Sequence, residues 1–340
     1  MPPGTSPLYL PRIQALRGIA AALVLAHHLL RDRPLVPTGY ETGMLGLGGV
    51  MIFFVISGIV LPHTQSAKTP LRFLIDRAIR ILPLYWIMTL ARWMLLERAA
   101  LAQGLPPSTE TLLPSLLLWP HYHPLHAGEV WPLLIPGWTL TFEALFFVVF
   151  AITLLPDRAF RWLAAILALA AAGLLGLTDP AWRETLLSPL PLLFFAGWAG
   201  LRCGPLPAPS LALWAGFGAL IWASLAAQPL LMGLAAAVTT LGALTLDRRS
   251  TDGVPAPLLW LGDISYSLYL SHAVILGSLL AFIASLPLPG ADLPRILMVL
   301  AIAVPACLLT GWITHRLIER PLLSLMRTPL ARPTKGVLRT

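Results

Sequence analysis

Residues 17–28 read Arg-Gly-Ile-Ala-Ala-Ala-Leu-Val-Leu-Ala-His-His, so an arginine and a histidine close an otherwise apolar run. Ionisable side chains inside an apolar span are rare, face cavities or partners, and mark functional sites by default. At about 100° per residue, eleven steps bring His28 to within about 20° of Arg17 on one helix face, about 16.5 Å further along the axis. His27 falls about 80° to the other side of Arg17. A cation at one end of a face and an imidazole at the other fit anion binding and proton transfer. The same spacing also fits a snorkelling arginine and a solvated histidine at the two edges of a membrane.

Three further groups carry chemistry. Arg77 and Arg80 are i,i+3 neighbours just before Pro83. They share a helical face, and the proline fits a first helical turn. Together with Arg17 they would present three guanidiniums at one membrane edge, which suits a ligand with several phosphates. Plain positive-inside anchoring is the alternative. Trp138 and Glu143 lie in Gly-Trp-Thr-Leu-Thr-Phe-Glu, and the apolar run that follows commits Glu143 to a span. A carboxylate there needs a partner or a proton. Counted from the outer helix ends, Glu143 and His28 lie about 10 Å and about 5 Å deep. Glu143 can therefore orient a His28 general base, or pair elsewhere for packing. Asp263, Tyr266, Tyr269 and His272 recur every third residue and form a polar stripe flanked by Ser265 and Ser271. Such a stripe lines a cavity or bonds neighbouring helices.

The elements that position these groups follow from composition. Of 340 residues, 57% are hydrophobic and 11% charged, with mean hydropathy +0.79. A soluble protein has about 25% charged residues, so this is an all-α polytopic membrane protein. About ten segments can cross the bilayer, near 13–30, 46–62, 80–96, 137–155, 160–177, 186–201, 208–226, 230–246, 258–284 and 294–316. The first is read as a retained span rather than a signal peptide. With the N-terminus inside, 17 of the 23 Lys and Arg fall on the inner side, so both termini are expected to be cytoplasmic. The net charge of +8 falls in loops, which speaks against a nucleic-acid partner. Cys203 and Cys307 suggest neither a disulfide nor a metal site. The outer segment 97–136 is too long for a passive link and is expected to cover a site. Its His121, His123 and His126 lack a carboxylate pattern for a metal, so none is expected. Residues 1–326 form one domain; 327–340 are expected to be a basic, disordered inner tail attracted to anionic lipid.

The chain resembles the integral-membrane acyltransferase family 3, whose members acylate sugars on bacterial envelope polymers. The resemblance rests on Ile13 to Gly18 with the Arg17–His28 spacing, Phe53-Phe54-Val55-Ile56-Ser57-Gly58, Arg77-x2-Arg80-x2-Pro83-x-Tyr85-Trp86 and Trp138-Thr139-Leu140-x2-Glu143. Leu261 to His272 and Ile318-Glu319-Arg320-Pro321 complete it. It implies an O-acyltransferase of the bacterial cytoplasmic membrane that moves an acyl group, expected to be acetyl, from cytoplasmic acyl-CoA to a hydroxyl of an exopolysaccharide, lipopolysaccharide or related glycan. Arg17, Arg77 and Arg80 would hold the donor. His28 would act as general base or acyl carrier, Glu143 would orient it, and Trp138, Ser57, Tyr266 and His272 would line the cavity. The Pro-Gly-Trp-Thr-Leu variant looks closest to members that decorate exopolysaccharides.

Three features depart from the family pattern. Gln14 stands where an aspartate opens the first motif. Asp76 replaces a frequent basic residue, and the family's optional soluble extracytoplasmic domain is expected to be absent. A secondary transporter also places Arg, His and Glu in spans, but it usually repeats its hydropathy pattern. Here candidates crowd 13–143 and nearly vanish from 160–250.

Overall fold

The computed structural model describes residues 9–31, 42–63, 69–102, 109–290 and 292–327. The tail from 328 onward, Arg33 and Lys68 lie outside them. The helices in order are α1 (Pro11–Arg31), α2 (Leu45–His63), α3 (Pro70–Ala102), the short α4 (Leu112–Leu116), α5 (Trp138–Ile152), α6 (Arg158–Thr178), α7 (Pro180–Leu187), α8 (Leu192–Gly200), α9 (Pro209–Leu225), α10 (Pro229–Arg249), α11 (Ala256–Ala284), α12 (Asp292–Thr314) and α13 (Arg320–Arg327). A π-helical turn, His315–Glu319, joins the last two.

Eight helical stretches are long and apolar enough to span a membrane. The remaining two of the expected segments are helical but shorter: α9 has 17 residues and α8 only 9. Pro189 and Pro191 shorten α8, because proline neither donates to the helix ladder nor lets its predecessor turn helical. Residues before them fold separately as α7, with Asp179 capping the Ala181 N–H at 2.8 Å. α6 has no buried residue although it is apolar from Trp162 to Leu177, and Leu177 is 85% exposed. A helix with no buried face and no polar one is stable in lipid, where its backbone bonds are internal.

One expected boundary is corrected. α3 begins at Pro70, not near 80, so Pro83 sits inside the helix and Arg77 and Arg80 lie in its interior turns. Pro83 is expected in the first helical turn, but the helix extends back through the charged run, where Arg72 and Asp76 pair across one turn at 3.2 Å.

Small residues set the closest helix crossings. A Cβ on Gly18 would meet the Gly262 backbone N at 2.7 Å, and one on Gly58 would meet the Phe194 carbonyl at 2.0 Å. Only glycine permits such approach, which clamps α1 to α11 and α2 to α8. The N-terminus of α1 is closed by another helix. Asp247 of α10 accepts from the Arg12 and Ile13 backbone N–H groups at 3.0 and 3.1 Å, and pairs with the Arg12 guanidinium at 3.1 Å. A buried carboxylate thereby satisfies helix-end donors that would otherwise be orphaned. Arg12 also donates to the Ser250 carbonyl.

Candidate active site

α1 is an uninterrupted helix, so Arg17 and His28 keep the shared face that their spacing predicts. Arg17 opens onto a cavity of about 130 Å³ that α2, α3, α5 and α11 also line. Arg77, Arg80, Ser57, Glu143 and Tyr266 lie on its wall with Arg17. Three arginines from α1 and α3 thus converge on one space. The Arg77 guanidinium lies 5.6 Å from the Phe73 ring centroid, a cation–π contact.

Glu143 occupies this cavity. Its Oε1 accepts a hydrogen bond from Ser57 Oγ at 3.1 Å, and Arg80, Arg77 and Arg17 all lie within its electrostatic reach. The direct pairing with His28 expected from helix depth is not formed among the described residues. Depth counting places two groups at a level but not on facing sides. α5 turns its 139, 140 and 143 positions toward the arginines, at i, i+1 and i+4.

His28 has a different neighbour. Its Nδ1 lies 2.9 Å from the Val24 carbonyl and 3.3 Å from His272 Nε2. His272 Nδ1 lies 3.0 Å from the Leu268 carbonyl. A carbonyl oxygen only accepts, so Nδ1 carries the hydrogen in both rings. His272 Nε2 then holds a lone pair that faces the His28 Nδ1–H. His28 Nε2 is left as the basic nitrogen. An acceptor behind Nδ1–H fixes the tautomer and favours the imidazolium formed when Nε2 takes a proton. His272, expected as a cavity-lining group, therefore holds the position expected of Glu143. His27 is engaged elsewhere: its Nδ1 is 2.9 Å from Thr42 Oγ1 and its ring packs on Gly46.

The cavity and the histidines are joined by aromatic rings. Phe53 and Tyr269 both line the cavity and meet edge-on at 5.7 Å between centroids. Tyr269 is 6.2 Å from His272, and His272 is 5.1 Å from His28. The Tyr269 hydroxyl lies 3.0 Å from Thr139 Oγ1 and donates to the Pro136 carbonyl at 3.1 Å. Cationic cavity, packed aromatic rings and imidazole pair follow one another. That order suits a long ligand with a phosphorylated head and a reactive tail.

A family model described as an acyltransferase domain matches residues 10–315. The chain belongs to the integral-membrane acyltransferase family. The exopolysaccharide production protein ExoZ of Rhizobium meliloti (strain 1021) is 35% identical over 295 residues, covering 82% of this chain and 90% of that protein. No solved structure matches the chain.

In this acyltransferase, Tyr266 lines the cavity and donates to the Ile81 carbonyl at 2.7 Å, bracing α11 against α3 beside Pro83. Trp138 is placed apart from the arginines. It lines a second cavity on the opposite face of α5. Several supporting residues had no assigned role in the sequence reading. Gln14 donates to Asp263 at 2.7 Å and accepts from Arg17 at 3.1 Å, so its amide bridges an acid and a guanidinium. Glu319 accepts from Ser267 at 2.6 Å and contacts His315 Nδ1 at 2.8 Å. The i,i+4 spacing of His315 and Glu319 was the available signal for that pair. The three histidines of the 109–134 segment do not converge on one point: His121 contacts the Trp119 carbonyl at 2.7 Å, while the His123 and His126 rings meet at a tilt, 4.6 Å between centroids.

Proposed function

We propose that this membrane acyltransferase moves an acetyl group from acetyl-CoA to a sugar hydroxyl of an exopolysaccharide, working in the bacterial cytoplasmic membrane with both termini inside. The observation that carries the reading is the convergence of Arg17, Arg77 and Arg80 on one cavity, with Tyr269 on its wall packed against His272 and His272 against His28. The arginines would take the CoA phosphates, for which planar guanidiniums are suited. The pantetheine arm would pass Phe53 and Tyr269. The rise of about 16.5 Å from Arg17 to His28 is of the length such an arm must cover. His28 Nε2 would remove the proton from the acceptor hydroxyl as its oxygen attacks the thioester carbonyl. The C–S bond then breaks, the acetyl ester forms, and the CoA thiolate regains a proton from the His28 imidazolium. His272 Nε2 would hold the His28 Nδ1–H throughout. The exopolysaccharide acceptor is supported by the name of the relative ExoZ and by the Pro-Gly-Trp-Thr-Leu variant.

The test uses purified protein in lipid nanodiscs with acetyl-labelled acetyl-CoA and exopolysaccharide from a producing cell. Label should appear in the polymer in step with released CoA. Arg80→Ala should weaken acetyl-CoA binding, with one lost charge-assisted contact costing about 1.5–3 kcal/mol. CoA binding that is unchanged in Arg80→Ala, Arg77→Ala and Arg17→Ala would return these residues to membrane anchoring.

A further inference from the structure

α5 is a partition with a different cavity on each side. Its Thr139, Leu140 and Glu143 face the arginine cavity, while Trp138, Thr141 and Phe142, at i, i+3 and i+4, face a second cavity of about 210 Å³. Residues 119–132 of the long outer segment and residues 184–190 after α6 complete its wall. Three tryptophans line it, Trp119, Trp131 and Trp138, together with Glu129 and Glu184. Among the described residues that line it there is no lysine or arginine, and His121 is the basic side chain present.

The wall is built rather than incidental. Trp119 packs edge-on against Trp182 at 5.0 Å, and Trp131 against His126 at 5.6 Å. The Tyr122 hydroxyl donates to Glu184 at 2.8 Å and leaves the other carboxylate oxygen free to accept. Thr141 ties α5 to the outer segment by donating to the Leu118 carbonyl at 3.2 Å. Ser115 anchors both ends of that segment, because its Oγ accepts from the Leu133 N–H at 2.9 Å and its carbonyl accepts from Tyr85 at 2.6 Å.

We propose that this second cavity is a subsite for one neutral hexose unit of the acceptor glycan. The inference rests on the acyltransferase reading above and deepens it. An indole offers a rigid apolar plane to the C–H face of a pyranose. Carboxylates are strong acceptors for the ring hydroxyls. A wall with two carboxylates, one imidazole (His121) and no guanidinium or ammonium among its described residues disfavours polyanions such as CoA, which the arginines on the far side of α5 attract. Donor and acceptor are sorted by charge across a single helix. Trp138 and Thr139 are adjacent, so the partition sets the sugar beside the Thr139–Tyr269 contact that leads to His272.

The experiment titrates the full-length protein in nanodiscs with cellotetraose, galactobiose and mannotetraose while following tryptophan fluorescence, and in parallel measures acetyl-CoA affinity. At least one neutral oligosaccharide should bind saturably. Trp131→Ala and Glu184→Ala should each weaken it about tenfold or more, and Trp131→Phe should restore most of the loss because it keeps an aromatic face. Acetyl-CoA affinity should stay unchanged in all three variants, which also shows that they are folded. An acidic hyaluronan tetrasaccharide should not bind. Absence of saturable binding by every neutral sugar, or affinity that survives both alanine substitutions, overturns the subsite while leaving the donor reading intact. Loss of acetyl-CoA binding in the unaltered protein, with sugar binding retained, overturns the donor reading instead.

Discussion

At the scale of single residues, the decisive contact is between two imidazoles. His28 presents Nε2 only because the Val24 carbonyl and His272 hold its Nδ1–H. His28→Ala should abolish transfer in a protein that still inserts and binds acetyl-CoA. His27→Ala should keep most of its turnover, since His27 bonds Thr42 instead. Turnover per folded molecule checks both, and an inactive His27→Ala beside an active His28→Ala reverses the assignment. Glu143 leads to a separate expectation. It lies among Arg17, Arg77 and Arg80 and bonds Ser57, so its charge acts on the phosphate-binding groups. Glu143→Gln keeps the Ser57 bond and removes a competitor for the guanidiniums. Acetyl-CoA should bind several-fold more tightly, while the pH profile of the transfer step keeps its midpoint. A shifted midpoint with unchanged affinity would place Glu143 in the proton-transfer chain after all.

At the scale of elements, the chain was legible where chemistry repeats with helical period and illegible where it depends on rotation between helices. Arg17 with His28, and Arg77 with Arg80, could be read because each pair lies on one helix. The meeting of His28 with His272 spans 244 residues, and the turn of α5 that sends Glu143 to the arginines goes with the ring packing of Phe142 on Phe54 and of Phe146 on Phe194. No local signal encodes those rotations. The outer segment was legible only as too long to be passive, and its histidines show what it contains. His123 is 3% exposed, and its Nδ1 accepts from the Leu125 N–H at 3.0 Å, so it must be neutral. Burial, with His126 beside it, pushes its pKa down to about 4. The unfolded segment then binds the proton first as the pH falls. The stability that neutral His123 contributes is complete above about 6.5 and is lost progressively from there toward about 4. Protection factors for amide exchange across 109–134, which divide out the pH dependence of intrinsic exchange, should therefore fall on moving from pH 7 to pH 5, and His123→Asn should flatten that fall. Equal protection factors at both pH values in the unaltered protein would show that His123 does not report on the segment.

For the whole molecule, apolar composition fixed the class and the approximate positions of the helices, but length alone did not fix how each crosses. α8 and α9 fall short of a full span, and the shorter pair packs where α2 and α10 need close neighbours. An orientation is expected from charge. Arg12 and Arg17 lie in the first turns of α1, Arg72, Arg77 and Arg80 in the first turns of α3, and Arg248 and Arg249 at the end of α10, whose Asp247 pairs with Arg12. The two cavities give this asymmetry a use. On the proposed function the arginine cavity faces the compartment that holds acyl-CoA, and the tryptophan cavity the one that receives the polymer. Both requirements are met if the N-terminus is cytoplasmic, with the 109–134 and 180–190 segments outside. Reporter fusions make this decisive: alkaline phosphatase joined after Pro120 should be active, and green fluorescent protein at the C-terminus should fluoresce, because the first folds only outside and the second only inside. The basic excess predicts that pairing, since Lys and Arg are retained on the cytoplasmic side of a span. Fusions reporting one side for both positions would require an even number of crossings between them. The donor and acceptor cavities would then no longer be divided by α5 between two compartments.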